Sequence, residues 1–365
     1  DPGTIWSKYI RYIGAGAVAA GGIISLIKTL PTMFRTFKSA IKGFGKNVSG
    51  GDRTQQDLPM SVVLIGSLVI AVGIWLIPEI PVSLLGALLI VVFGFFFATV
   101  SSRMVGIVGS SNNPVSGMAI ATLILTSFVL KATGSTGSAG MLAAISIGTV
   151  ICIIAAMAGD TSQDLKTGYI VGATPVKQQI GELLGAVVAA LTIGGVLYIL
   201  SKAWGGFGSA QLPAPQASLM KMVVEGVMGG TLPWVLIIVG AFIAIVVEIL
   251  GIPVLAFAIG LYLPIHLSTP IMLGGAVRWI IEKRKYSSEK EQKESVDKGV
   301  LYSAGMIAGE GIVGILLAVI TVFNLNIDMS GIYGDNFYAV GNWVGIIAFV
   351  LLLSTLFYFC RKKKH

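Results

Sequence analysis

The sequence predicts an all-α, polytopic transmembrane helical bundle of about nine or ten spans or half-spans, and three observations carry that expectation. Hydrophobic residues make up 55% of the 365-residue chain and charged residues 12%, about half the 25% usual in a soluble domain. Mean hydropathy is +0.88, and several apolar runs approach the roughly 20 residues that a helix needs to cross a bilayer. The basic residues fall in the loops between those runs. The net charge of +8 therefore reflects membrane topology and not a nucleic-acid surface.

Taken in order, an apolar run at 14–30, rich in Gly and Ala, is the expected first span. After Pro31, Met33, Phe34, Phe37, Ile41 and Phe44 recur at helical spacing while Arg35, Lys38, Lys42 and Lys46 take the other faces. That is the pattern of a helix lying in the headgroup region. Residues 45–57 read as a polar loop. Spans follow at 60–77, 82–100, 115–130 and 141–158, with turns at PEIP and KATGSTGSAG. The second turn superficially resembles a serine-nucleophile elbow but lacks its G-x-S-x-G spacing and flanking strand. The polar stretch GDTSQDLKTGYIVGATPVKQQIGE leads to a span at 181–200, then a Gly/Pro-rich connection and a short helix near 222–228.

Runs at 234–250, 251–262 and 271–281 are short and punctuated, so at least two of them read as half-helices or pieces of a broken helix. EKRKYSSEKEQKESVDK reads as a solvated connector, and 300–323 and 343–359 are the last spans. Cys152 and Cys360 lie in apolar segments and read as packing thiols. The opening residues, DPGTIWSKYIRYIG, carry neither an initiator Met nor a signal-peptide pattern, so the chain is expected to be a fragment or a processed product.

The loops at 32–57, 159–178, 283–298 and 361–365 hold seventeen Lys or Arg, and the intervening connections at 78–81, 131–140, 202–232 and 324–342 hold three. The first set and the C-terminus are therefore expected in the cytoplasm. Three crossings must fit between Pro81 and Gly159, and three again between 232 and 283. The polar stretch SSRMVGIVGSSNNPVSG at 101–117 lies in the first block and the irregular 251–270 in the second. Non-helical backbone at membrane depth is tolerated only beside protein or a water-filled cavity, and paired helix breaks are a pointer to a transporter's substrate site.

Four segments in order, SSRMVGIVGSSNNPVSG, DLKTGYIVGATPVKQQIGELLG, AIGLYLPIHLSTPIMLGG and AGMIAGEGIVG, resemble the carboxyl-terminal part of the oligopeptide transporter family. That family includes proton-coupled peptide carriers and yellow-stripe-like carriers of metal chelates. The resemblance runs from about Asp57 to the final span. It implies proton-driven import, missing amino-terminal spans, and substrate held at the asparagine-proline and tyrosine-leucine-proline regions. The expected organisation is 1–57 as first span, interfacial amphipathic helix and cytoplasmic loop, and 58–365 as transmembrane transport core. The plasma (inner) membrane is the expected location.

On this reading Ser110, Ser111, Asn112, Asn113, Pro114, Ser116 and Gly117 line the substrate, since their donors and acceptors suit a zwitterion or chelate. Asn112 or Asn113 also suits the cap of a half-helix starting at Pro114. Arg103 either meets a substrate carboxylate or snorkels to the interface. Tyr262 and Pro264 form the second break, with His266 beside them. With only His266 and His365 in the chain, no multi-His metal site forms, so a metal would arrive already chelated and no resident cofactor is expected. Glu310, about ten residues into its span, is the foremost proton-coupling residue; its structural alternative is a protonated Glu packed between helices through Gly305, Gly309, Gly311 and Gly314. Glu248 and Glu182, nearer span ends, are lesser candidates. Gln163, Lys166, Tyr169 and Gln178 are expected to set topology or gate the cytoplasmic mouth.

Two other classes fit poorly. An aquaporin-like channel needs two asparagine-proline half-helices, and only Asn113-Pro114 is present. A membrane-embedded enzyme needs a Ser-Lys pair, paired aspartates or a His-rich motif, and none is found. The small residues allow tight helix contacts, including those of a homo-oligomer.

Overall fold

A computed structural model describes residues 2–43, 52–109, 113, 115–209, 211–229, 233–325 and 337–360, and among them every regular element is helical. Helix α1 (Pro2–Ile5) leads through a π-helical turn (Trp6–Ile10) into α2 (Arg11–Gly43). Then follow α3 (Met60–Leu76), α4 (Leu84–Val108), α5 (Val115–Ala132), α6 (Gly137–Val171) and α7 (Pro175–Ala203). The chain continues with α8 (Pro215–Met228), α9 (Trp234–Ile249), α10 (Val254–Tyr262), α11 (Ile265–Glu282), α12 (Glu289–Val322) and α13 (Phe337–Phe359). Among the described residues, five helices are long and apolar enough to cross a membrane: α3 with the turn before it, α4, α6, α7 and α12.

Several boundaries differ from those read in the sequence. The expected stop at Pro31 is absent, because α2 runs through that proline, and the first span and the amphipathic segment are one helix. The polar stretch after Ala158 is helical to Val171, so the loop before α7 shrinks to 172–174. Gly172, in the left-handed conformation at φ 73°, ends α6, and Ala173 N–H donates back to Gly168 O over 2.8 Å. The charged connector is helical from Glu289, where Ser288 Oγ accepts from Glu291 N–H as an N-cap. In the first polar stretch, α4 continues to Val108 and α5 starts at Val115, so most of the described residues of 101–117 are helical. The second resolves into two short interruptions, one on each side of α10, while α11 runs through Pro270.

The chain divides into two compact units. The first comprises Asp1–Ala190 and Pro215–Leu263. Its largest core is the seam of α4, α5 and α6, closed by Phe97, Val100, Met118, Leu130, Ile147 and Ile151. Cβ atoms built on Gly86 and Gly94 of α4 would meet Ile147 and Ile154 of α6, so these two helices run parallel. Leu123 of α5 lies against Gly148 and Asn113 against Gly159, so α5 runs back between them. The block from Pro81 to Gly159 thus runs in three alternating passes, α4 and α6 in one direction and α5 in the other. Thr122 and Thr126 on buried α5 donate to the carbonyls of Met118 and Thr122, four residues back, and spend their hydroxyls within the helix.

A second core joins α2, α9 and α10. Here α2 and α9 touch backbone to backbone. A Cβ on Gly240 would overlap Ile13 O, and one on Gly16 would overlap Ile237 O. Between helices in lipid, where burying apolar surface yields little, such small-residue contacts provide the packing attraction.

The second unit comprises Leu191–Ala214 and Pro264–His365. Its core is small, built from Val277, Ile281 and Cys360. Ser295 Oγ donates to Cys360 O over 2.7 Å, Tyr302 Oη donates to Thr355 Oγ1 over 2.9 Å, and the Tyr302 and Phe359 rings stack at 4.4 Å.

Candidate functional site

The first break lies where the α4–α6 seam turns polar. Ser101 is fully buried on α4, and its hydroxyl donates to Ala155 O on α6. Ser101 has a single proton, so its oxygen remains an acceptor, and Asn113 Nδ2 donates to it over 2.8 Å. A longer contact of 3.5 Å runs from Asn113 Nδ2 to Ala155 O. This chain of donors fixes the amide: NH2 toward Ser101, carbonyl oxygen away from it. Asn113 Oδ1 is buried and accepts from no described residue. Gly159 makes the room, since a Cβ there would lie 2.7 Å from Asn113 Nδ2. One turn along, Ser162 Oγ donates to Ser102 O over 2.6 Å.

The hydrogen bonds also give the level of the break. Asn113 docks beside Ala155 and Gly159, where the apolar part of α6 gives way to Asp160, Gln163, Asp164 and Lys166. At about 1.5 Å per residue, the 25-residue α4 is some 37 Å long, enough for a complete crossing. Asn113 therefore sits at the end of the apolar stretch of this seam, not at its middle.

Of the other residues expected to bind substrate, Ser110, Ser111, Asn112 and Pro114 lie outside the described residues, as does the side chain of Ser116. Gly117 is buried on α5, its Cβ position 3.9 Å from Ser25 Oγ on α2. Arg103 is exposed on α4, while Ser101 and Val105 turn into the seam. Tyr262 is buried at the end of α10, where its hydroxyl donates to Pro215 O over 2.9 Å. That donor is already engaged by the fold, so Tyr262 presents its ring and not its hydroxyl. Pro264 is the N-cap residue of α11, and His266 is exposed on that helix.

The acidic candidates separate. Glu248 of α9 forms an ion pair with Lys28 of α2. Sequence reading passed over Lys28, although an ionisable residue inside the 14–30 run was itself a signal. Ser25 faces Gly117; Lys28 lies one turn further along α2, and Asn113 one turn before Gly117. The ion pair and the amide thus belong to the same end of the first unit. Glu182 on α7 has a buried Oε1 that accepts from no described residue. Glu310 is exposed on α12, and Cβ atoms built on Gly305, Gly309, Gly311 and Gly314 would meet nothing within 4 Å. The alternative of a Glu close-packed through these glycines is therefore not what the helix presents within its unit.

The mouth candidates cluster where α6 ends and α7 begins. Gln178 Nε2 donates to Asp164 O over 3.1 Å, and the Gln178 side chain fills the space above Gly168. Lys166 Nζ lies 5.9 Å from the centre of the Tyr169 ring, while Gln163 is exposed. Leu58 N–H donates to Gln179 Oε1 and Val176 N–H to Gln56 O, both over 2.9 Å, tying the entry to α3 onto this corner.

A family model described as OPT oligopeptide transporter protein matches residues 2–321. The chain is 30% identical to a putative oligopeptide transporter of Haemophilus influenzae, over 95% of this chain and 63% of that protein. It is 27% identical to the probable metal-nicotianamine transporter YSL5 of Arabidopsis thaliana, over 55% of this chain and 30% of that protein. With the probable metal-nicotianamine transporter YSL11 of Oryza sativa subsp. japonica the identity is 28%, over the same two shares. The chain thus spans less than two thirds of the length of these relatives. No solved structure matches it.

Proposed function

The chain belongs to the OPT oligopeptide transporter protein family, and from that premise we propose that the protein is a proton-coupled secondary transporter importing small oligopeptides or peptide-like metal chelates. It is a multi-pass membrane protein; the plasma membrane, with basic loops and C-terminus on the cytoplasmic side, is its proposed setting. The observation that carries the substrate reading is Asn113 Oδ1, a buried acceptor with no donor among the described residues, between α4 and α5. An acceptor held there takes an N–H donor, which a peptide amide, an ammonium group or a chelator's amine supplies. The similarity to peptide and metal-nicotianamine transporters supports the same substrate classes.

Protons are the proposed coupling ion, and no resident cofactor takes part; a metal enters as part of its chelate. Glu248, paired with Lys28 at the same end of the unit as Asn113, and Glu310, exposed on α12, are the proposed proton carriers. Glu182, whose buried oxygen has no described donor, is a third. Gln163, Lys166, Tyr169 and Gln178 form the proposed cytoplasmic mouth. The complete transporter includes spans beyond this chain, surrounding lipid and a second copy as its proposed partners.

The test is uptake of trialanine and of nickel–nicotianamine into proteoliposomes under an imposed inward proton gradient. Uptake of one of them should fall to the passive level when a protonophore collapses the gradient. Gradient-independent uptake would overturn proton coupling, and uptake of neither would overturn the substrate reading. Glu310→Gln should abolish gradient-driven accumulation yet retain substrate exchange; normal accumulation would remove Glu310 from the coupling path.

A further inference from the structure

At the start of α2 the structure gathers donors without acceptors. Trp6 Nε1 and Arg11 Nε are both buried and hydrogen-bond to no described residue. Arg11 forms no ion pair with a described residue. Its guanidinium carbon lies 5.8 Å from the centre of the Trp6 ring and 5.9 Å from that of Tyr262, within the range of cation–π attraction. We propose that Trp6, Arg11 and Tyr262 form a carboxylate-binding site, which takes the C-terminal carboxylate of a peptide or a carboxylate arm of a chelate. The site rests on the transport reading above and assigns a second, anion-binding end to it.

The backbone builds this juxtaposition. Trp6 and Arg11 are five residues apart, which on a regular α-helix sets side chains about 140° apart. The intervening turn is π-helical, and Arg11 N–H donates to Trp6 O five residues back. The wider turn brings the two side chains toward one face, and π-turns recur at functional sites. Tyr262 is held from both sides: its hydroxyl is tied to Pro215 O, and its backbone packs so close to Gly14 that a Cβ there would lie 2.5 Å from Tyr262 Cα. The ring is a fixed wall, and Arg11 is aimed by it.

The chemistry of the set selects the ligand. Indole and guanidinium nitrogens only donate, so the unpaired hydrogen-bonding groups of the site suit an acceptor and not an amine. A guanidinium edge matches the two oxygens of a carboxylate, and buried donors are costly to leave unpaired. Arg11 is 17 residues before Lys28 on one helix, about 25 Å along its axis. The carboxylate site therefore lies at the end of the first unit opposite Asn113 and the Lys28–Glu248 pair. In the proposed orientation that end faces away from the cytoplasm, where an importer first meets its cargo.

The test compares trialanine with trialanine amide, which lacks only the terminal charge, on the full chain in phosphatidylcholine nanodiscs. Trialanine should bind at least tenfold more tightly than the amide. Arg11→Gln should erase that ratio, Arg11→Lys should keep part of it, and Trp6→Phe, which keeps a ring but loses the donor, should reduce it two- to fivefold. Equal binding of acid and amide by the unaltered protein, or a ratio that survives Arg11→Gln, would overturn the site and leave the transport reading standing. If Arg11→Gln does not fold, the ratio on the unaltered protein and its change in Trp6→Phe decide. Binding of neither peptide nor of nickel–nicotianamine would sink the transport reading and this site with it. A tryptophan-fluorescence change caused by phosphatidylglycerol alone, absent in Trp6→Phe and matched by loss of trialanine binding, would assign the donors to lipid phosphate and overturn the proposal.

Discussion

Lys28 Nζ on α2 donates to Glu248 Oε1 on α9, joining residues 220 positions apart in sequence. Lys28 is exposed and Glu248 half-buried, so losing one partner and stranding the other charge should cost on the order of 0 to 1 kcal/mol. Replacing both removes the stranded charge. Lys28→Met and Glu248→Leu should each lower the thermal midpoint in detergent by no more than a few degrees, while the double variant recovers part of the loss. Additive losses across that double-mutant cycle would show that the two side chains do not interact.

Glycines should split into two groups with opposite signs. Gly240→Ala pushes a Cβ into Ile13 O and should destabilise by about 1 to 3 kcal/mol or prevent folding. Gly185→Ala, on α7 with nothing within 4 Å of its Cβ position, should be neutral or gain up to about 1 kcal/mol from helix propensity. Midpoints measured by scanning fluorimetry on the two variants test this, and equal behaviour would contradict the backbone contact between α2 and α9.

Ser101 aims the Asn113 amide, so Ser101→Ala should act on substrate recognition through its neighbour. The loss of one buried hydrogen bond, about 1 kcal/mol, should raise KM for uptake several-fold with kcat little changed. Asn113→Ala should raise KM at least as much, and the double variant should add little to the larger single effect. Independent effects would uncouple the serine from the site.

Cys360, just past the end of α13, titrates above the ordinary thiol range because burial disfavours its thiolate, and the nearby Arg284 charge offsets this in part. Its alkylation by a maleimide should be slower at neutral pH than that of a freely exposed thiol, and should rise at a higher pH. Arg284→Gln removes the stabilising charge, raises the thiol further and should slow alkylation at a fixed pH. Faster alkylation in that variant would reverse the assigned cause.

Much of the bundle is legible in the residues, and the misreadings have a common origin. Hydropathy reports where lipid begins, not where a helix stops. Residues 159–171 of α6 and 289–298 of α12 were read as loops because they are charged, yet outside the apolar layer charge does not oppose helix formation. Pro31 and Pro270 were read as stops and are absorbed within helices. In the site, Asn113 could be singled out from its proline neighbour and its setting between apolar runs. Ser101 and Ala155 could not, because they become its partners only when α4 and α6 run parallel. Nothing in the residues around Arg11 singles it out, because its wall, Tyr262, arrives 251 residues later.

The contact of α2 with α9 through Gly16 and Gly240 has a mechanical meaning. Where two backbones touch with no side chain between them, there is no soft layer to shear and no rotamer to yield. The pair is a spar, stiff against sliding and tilting, and it carries Arg11 near one tip and Lys28 farther along its length. Within the first unit, compliance lies elsewhere, as in the short interruption at 250–253 between α9 and α10. Any bending inside that unit would pivot there, with the spar as its fixed frame.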